Sequence, residues 1–164
     1  MREIILTKGY VAQVDDEDYE ELNRYNWRAL IGTTGVVYAV HGTSIRFGDR
    51  KFGETQKLVY MHQKILGAIR VDHKDGNGLN NQRYNLRSCT QQQNCGNTKL
   101  SKRNSSGFKG VTEKTKGRWS AQIEVDRKQL HLGMFSSKEE AALVYQEAAE
   151  KYFGEFVRKQ VANF

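Results

Sequence analysis

Between residues 71 and 97 the chain reads VDHKDGNGLNNQRYNLRSCTQQQNCGN, and here residue types and spacing could support a reaction. Asp72 and His73 are adjacent; Asn85 follows His73 by twelve residues and Asn94 by twenty-one. Asp and Asn offer the hard oxygen ligands that Mg²⁺ prefers, and two protein ligands leave positions for water and phosphate oxygens. A neutral imidazole beside such an ion can take a proton from water near pH 7. A divalent cation and a base in a basic protein suit phosphodiester hydrolysis. The bland alternative is a solvated turn in which Asp bonds its own backbone. Asn77, Asn80 and Asn81 are read that way, as turn or cap residues.

These residues need a scaffold that holds them together. Asp75-Gly76 and Asn77-Gly78 are hairpin signals. Tyr84, Leu86 and Cys89 suggest a short second strand, and TQQQNCGN reads as a helix start with Thr90 as N-cap. The order is strand, loop, strand, helix. Successive residues on a regular strand face opposite ways, so the first strand must end or twist at Asp72-His73 if both serve one site.

The segment resembles the His-Asn-His (HNH) endonucleases, in the variant common to phage and intron homing enzymes. The resemblance is carried by MH at 61–62, VDHKDGNGLNN at 71–81, NLR at 85–87 and QN at 93–94. It implies His73 as general base, Asp72 and Asn94 as holders of one Mg²⁺ or Mn²⁺ per active site, and Asn85 as the brace of the loop between the strands. His62 lies in the resembling MH pair, and its bland reading as a hydrogen-bonded structural histidine is preferred. His41 ends a strand and is assigned no role.

Before this motif the chain alternates. EIILT (3–7) and YVAQV (10–14) flank Lys8-Gly9 as a two-residue hairpin candidate. DDEDYEELNRY (15–25) reads as a helix with acids in its first turn. WRALI (27–31) and VVYAVHG (36–42) form a second hairpin, SIRFGDRKFGET (44–55) is a Gly-broken basic loop, and LVYMHQKILG (58–67) runs from a short strand into a helix.

The 164 residues carry a net charge of +7, unevenly distributed. Residues 1–55 hold seven Lys/Arg against nine acids; residues 56–118 hold thirteen against three; residues 119–164 hold six against seven. The excess therefore sits on the candidate catalytic segment and the twenty or so residues after it, a footprint of phosphate-backbone binding. No apolar run approaches the roughly twenty residues of a membrane helix, and the N-terminus lacks a signal-peptide pattern, so a cytoplasmic protein is expected. Cys89 and Cys95, the two cysteines, make neither a four-thiolate zinc site nor a disulfide framework. Proline is absent, so turns depend on Gly, Asn and Asp.

KLSKRNSSG (99–107) reads as a basic linker, with Lys99, Lys102 and Arg103 suited to a path along DNA. Beyond it, FKGVT (108–112), RWSAQIEV (118–125) and QLHLGMF (129–135) are strand-like. Ser136 or Ser137 then caps a helix, KEEAALVYQEAAEKYFG, that ends at Gly154. Alternation puts Trp119, Ala121, Ile123 and Val125 on one strand face, and Arg118, Gln122 and Glu124 on the other. Through SGFKGV, GRWSAQI, LGMFSSKEEAALVYQEAA and FGEF, residues 106–156 resemble the Apetala-type (AP-two/ethylene-response-factor) DNA-binding domain. That resemblance implies that the free sheet face enters the major groove, which is roughly 12 Å wide. It puts Lys109, Thr112, Lys114, Lys116, Arg118, Gln122, Glu124, Gln129 and His131 at DNA-facing positions. The plant domains rely on Arg and Trp there, whereas this chain has Lys, Gln and His, which favours phosphate contact over bidentate base readout.

The expectation is an α+β chain: an N-terminal supporting sheet with a ββα-metal nuclease over 1–98 (motif 58–97), a linker over 99–106, and a three-stranded sheet with one helix over 107–164. Its expected activity is metal-dependent hydrolysis of double-stranded DNA by a monomer that nicks one strand, without a protein partner. The rival reading is a non-cleaving DNA-binding regulator with a structural or decayed nuclease fold. An RNA-binding module is a third class, and it lacks the stacked aromatics of the common RNA folds.

Overall fold

The computed structural model describes residues 1–44, 56–98, 100 and 104–158. It is a mixed α/β chain of small antiparallel sheets and short helices, consistent with an α+β class. It divides into two compact units, Met1–Cys89 and Thr90–Phe164. That division falls before helix 91–96, whereas the sequence groups this helix with the nuclease motif. The expected loop over 45–55 lies outside the described residues, as do Lys99 and 101–103 of the expected linker.

In the first unit, β1 (Arg2–Ile5) and β2 (Val11–Val14) pair antiparallel. The connection is five residues, 6–10, with Lys8 and Gly9 at φ of 63° and 73°, longer than the two-residue turn that the Lys-Gly pair suggests. Helix α1 (Asp16–Leu22) comes next, with Asp16, Glu17 and Asp18 in its first turn, where the helix dipole favours acids. Strands β3 (Arg28–Ile31), β4 (Val37–Ser44) and β5 (Gln56–Tyr60) form an antiparallel sheet in that order. Helix α2 (Met61–Leu66) leaves β5 directly and stops at Gly67, which takes the left-handed conformation at φ 62°. The core joins Ile4, Leu6, Ala12, Val14, Leu22, Trp27, Ala39 and Met61. Burial of large members such as Leu22 and Met61 contributes about 1.5–3 kcal/mol each.

The candidate site hangs on this core. Strands β6 (Val71–His73) and β7 (Leu86–Ser88) pair antiparallel, with Asp72 opposite Arg87 and His73 opposite Leu86. Strand β6 includes both Asp72 and His73 at regular ladder positions, and all three of its residues are buried. The connection from 74 to 85 is an ordered loop, as the order strand, loop, strand anticipates. Gly76 serves a turn at φ 70°, its N–H donating to His73 O at 2.8 Å. Gly78 serves a close approach: a Cβ there would meet Val37 O and would lie 2.6 Å from Tyr38 Cδ1.

In the second unit, α3 (Gln91–Gly96) begins with a capping box of Thr90 and Gln93. It packs on the last helix: a Cβ on Gly96 would lie 2.9 Å from Phe156 O and 3.3 Å from Phe153 Cβ. Strands β8 (Val111–Thr115), β9 (Arg118–Val125) and β10 (Lys128–Phe135) make an antiparallel sheet with β9 in the middle. Helix α4 (Lys138–Phe153) crosses one face, capped by Ser137 Oγ accepting from Glu140 N–H at 3.1 Å. Ile123, Tyr145, Ala149 and Phe153 form one cluster, and Val111, Ala121 and Ala141 another. Alanine at 141 and 149 lets helix and sheet approach closely. Gly110, at φ 71°, lies where any Cβ would strike the Tyr145 ring.

Candidate active site

The 74–85 loop is held from three sides. From inside, Asn85 is 1% exposed. Its Oδ1 accepts from Asp75 N–H at 3.0 Å, and its Nδ2 donates to Asp75 Oδ1 at 3.0 Å and to Asn80 O at 2.8 Å. Lys74 N–H donates to Asn85 O at 2.9 Å, closing the loop on itself. From β2, Gln13 N–H donates to Leu79 O and Asn81 N–H to Gln13 O, both at 2.8 Å. From the start of α1, the Asp15 carboxylate accepts from Gln82 Nε2 at 3.1 Å and Arg83 N–H at 2.7 Å. Arg83 adds bonds to Asp18 and Glu17. Asp15 thus serves the loop and makes no side-chain cap bond to its own helix.

Within this frame His73 is 5% exposed. Its Nε2 lies 3.3 Å from Asn81 Oδ1, and its ring stands nearly perpendicular to that of His62, with centroids 4.8 Å apart. Burial pushes the His73 pKa below its ordinary value, opposed by the Asn81 bond and by the charges of Asp75 and Asp72. It therefore favours the neutral imidazole that a general base requires. His62 is buried among Tyr38, Tyr60 and His73. Burial, with the charge of His73, takes its pKa down to about 3. Its Nδ1 is buried without a hydrogen-bond partner among the described residues. Burial pushes the Asp75 carboxyl up, but the Asn77 N–H, the Asn80 and Asn85 amides and His73 together hold it below its ordinary value.

Asp72 is buried on the neighbouring position, and its Oδ2 accepts from Arg87 Nε at 2.8 Å and from an Arg87 terminal nitrogen at 2.7 Å. The donor chemistry still fits a hard divalent ion, since Asp72 supplies carboxylate oxygen next in sequence to a neutral imidazole. Among the described residues no group of three or more His, Cys, Asp or Glu side chains gathers in a metal-holding arrangement. A closed all-protein cage therefore does not fit, whereas an ion that keeps several of its own waters does.

Asp72, His73 and Asn85 all lie in the first unit, with Asp72 and His73 on successive ladder positions of β6. Asn94 is half-buried on α3 of the second unit. Two participants escape sequence reasoning. Asn81, which reads as a turn residue, contacts the candidate base. Arg87 stands in the NLR string with no role attached, and the strand register sets it against Asp72. His62, read in the sequence as a structural histidine, makes ring contacts with Tyr38, Tyr60 and His73.

On the second unit Thr112, Lys114, Lys116, Arg118, Glu124, Gln129 and His131 are exposed and Gln122 half-buried. Register pairs Gln122 with His131 and Glu124 with Gln129, so these four share the sheet face opposite the core. Lys109 departs from expectation. Its ammonium donates to Cys95 O, to Gly96 O at 3.1 Å and to Thr98 Oγ1 at 2.9 Å, capping the end of α3. A lysine placed at a DNA-facing position by resemblance is therefore occupied within its own unit. Lys99, Lys102 and Arg103 lie outside the described residues. No helix among the described residues is long and apolar enough to cross a membrane.

An uncharacterized HNH endonuclease (L560) of Acanthamoeba polyphaga mimivirus is 30% identical over 157 residues, covering 96% of this chain and 78% of that protein. The chain belongs to the HNH endonuclease family. Protein 3.8 of Escherichia phage T7 is 34% identical over 89 residues, covering 54% of this chain and 73% of that protein. The ethylene-responsive transcription factor ERF069 of Arabidopsis thaliana is 31% identical over 97 residues, 56% of this chain and 59% of that factor. No family model matches the chain, and no solved structure matches it.

Proposed function

We propose that this chain is a metal-dependent DNA endonuclease of the homing type, in which His73 activates water and the second unit holds double-stranded DNA. The observation that carries this is the His73 imidazole, buried, biased toward its neutral form and next in sequence to the buried Asp72. In the proposed roles His73 takes the water's proton, Asn85 keeps the loop in shape, and Asp72 offers its carboxylate to one Mg²⁺ or Mn²⁺. Such an ion, when bound, supplies charge stabilisation at the departing 3′-oxygen. In the second unit, Lys114, Lys116 and Arg118 flank the β8–β9 turn as phosphate contacts. Thr112, Gln122, Glu124, Gln129 and His131 sit as groove-facing residues. One site of one polarity addresses one strand per binding event, so a monomer that nicks follows from the reading.

The Asp72–Arg87 ion pair favours a second reading, a DNA-binding protein that does not cleave. A cation must share Asp72 with a guanidinium already bonded to one of its oxygens. Supercoiled plasmid with Mg²⁺, and again with chelator, separates the two. The nuclease reading expects open circle first, no product with chelator, and a loss of about 10²–10⁴-fold in rate for His73→Ala. Salt-sensitive binding without nicking under Mg²⁺ or Mn²⁺ would establish the second reading instead.

A further inference from the structure

We propose that Asn81 is the positioning residue of His73, its side-chain oxygen accepting from Nε2–H and so fixing the tautomer whose Nδ1 receives the proton. This rests on His73 being the base. Asn81 is fully buried at 0% exposure, and its backbone is pinned to β2 through Gln13 O at 2.8 Å. Its Nδ2 donates to Leu79 O at 3.3 Å. That bond decides which end of the amide faces the imidazole, because the reversed amide would set its oxygen against a carbonyl oxygen. Oδ1 therefore faces His73 Nε2 at 3.3 Å. An acceptor at that nitrogen calls for Nε2–H, and a neutral imidazole has one N–H, so Nδ1 is the unprotonated nitrogen.

The same contact restrains the ring's rotation, and the edge-on His62 ring at 4.8 Å and 85° restrains it from another direction. In the proton transfer, one O–H bond of water breaks and Nδ1–H forms, while the O–H electron pair stays on the hydroxide oxygen. The resulting imidazolium still donates Nε2–H to Asn81, so the oxygen that set the tautomer also stabilises the charge that develops. Asn81 acts through His73 and needs no contact with DNA.

The test reads the tautomer directly, by long-range ¹H–¹⁵N correlation of the imidazoles at pH 8 with chelator present. The chain has four histidines, so His73→Gln assigns the signal by its disappearance. Wild type is expected to show His73 as Nε2–H alone. Asn81→Ala should return the averaged shifts toward the mixture of a free imidazole. Nδ1–H or a free-imidazole mixture in wild type overturns the proposal, as do identical shifts in wild type and Asn81→Ala. If Asn81→Ala does not fold, the wild-type spectrum decides alone: Nε2–H supports the proposal, and Nδ1–H or a free-imidazole mixture overturns it. In the plasmid assay Asn81→Ala should lower kcat roughly 10- to 100-fold, with KM unchanged. Because the tautomer is read without catalysis, a protein that never nicks DNA overturns the nuclease reading and leaves this spectrum to be judged separately.

Discussion

Replacing Asn85 by alanine removes three hydrogen bonds from inside the loop that carries His73. One of them, to Asn80 O at 2.8 Å, is buried; losing it strands a carbonyl, at a cost of about 1–3 kcal/mol. The other two, with the backbone N–H and carboxylate of Asp75 at 3.0 Å each, are part-buried. Water can replace them, so they add about 0.5–1.5 kcal/mol each. The sum, about 2–6 kcal/mol, is large against the roughly 5–15 kcal/mol of a typical fold. Trp27 reports the first unit, because it is 4% exposed and its Nε1 donates to Leu22 O at 2.7 Å. Working in a Trp119→Phe background removes the second unit's fluorescence. With a urea slope of about 2 kcal/mol per molar, Asn85→Ala should lower the Trp27 midpoint by roughly 1–3 M. Asn85→Asp keeps the acceptor for Asp75 N–H but sets two carboxylates side by side, so at neutral pH it should also be destabilised. An Asn85→Ala midpoint within about 0.3 M of the parent would refute the reasoning, and the loop would then be held from β2 and α1 alone.

Other outcomes rest on the same contacts. His62 titrates near 3 in the folded chain against 6.5 ordinarily, so below about 6.5 the unfolded chain binds more protons. Its contribution, on the order of 3–5 kcal/mol, is present above that pH and lost as pH falls toward 3; acid titration of His62→Phe should show a flatter acid limb, and an unchanged limb would place the acid sensitivity elsewhere. Gly78→Ala should cost about 1–3 kcal/mol by forcing Val37 and Tyr38 apart, measured by thermal melting; a neutral result would contradict the close approach. Lys109→Ala should lower the second unit's melting temperature without changing the salt slope of DNA binding. Arg118→Ala should reduce that slope by about 0.9, and the reverse pattern would return Lys109 to the DNA surface.

Local signals in the sequence are sufficient where one stretch of chain decides the outcome. Thr90 three residues before Gln93 gives the capping box that starts α3, and Lys8-Gly9 marks the first turn though not its length. The alternation Trp119, Ala121, Ile123, Val125 identifies the core face of β9, because a strand with one buried face has no other register. The Asn-Gly pair marks the loop but not what its glycine is for. Glycine there answers to Tyr38, a residue forty positions earlier, and its neighbours alone do not reveal that the constraint is space and not backbone conformation.

The site shows the same limit more sharply, since Asn81, Asn85 and Asn94 look alike in the sequence. Asn85 is distinguished by its bonds to Asp75 at the loop's start and to Asn80 in its middle, which require the loop to have closed. Asn81 faces His73 because Gln13, on a strand sixty-eight residues before it, takes its N–H and turns its amide inward. Arg83 is tied to Asp15 across the same sequence distance, so the first hairpin and helix fix the far end of the loop. The N-terminal segment carries no candidate chemistry of its own, yet it determines which asparagine meets the imidazole. A motif spacing can name the residue types at a site; the elements packed behind them decide which atoms of those residues face one another.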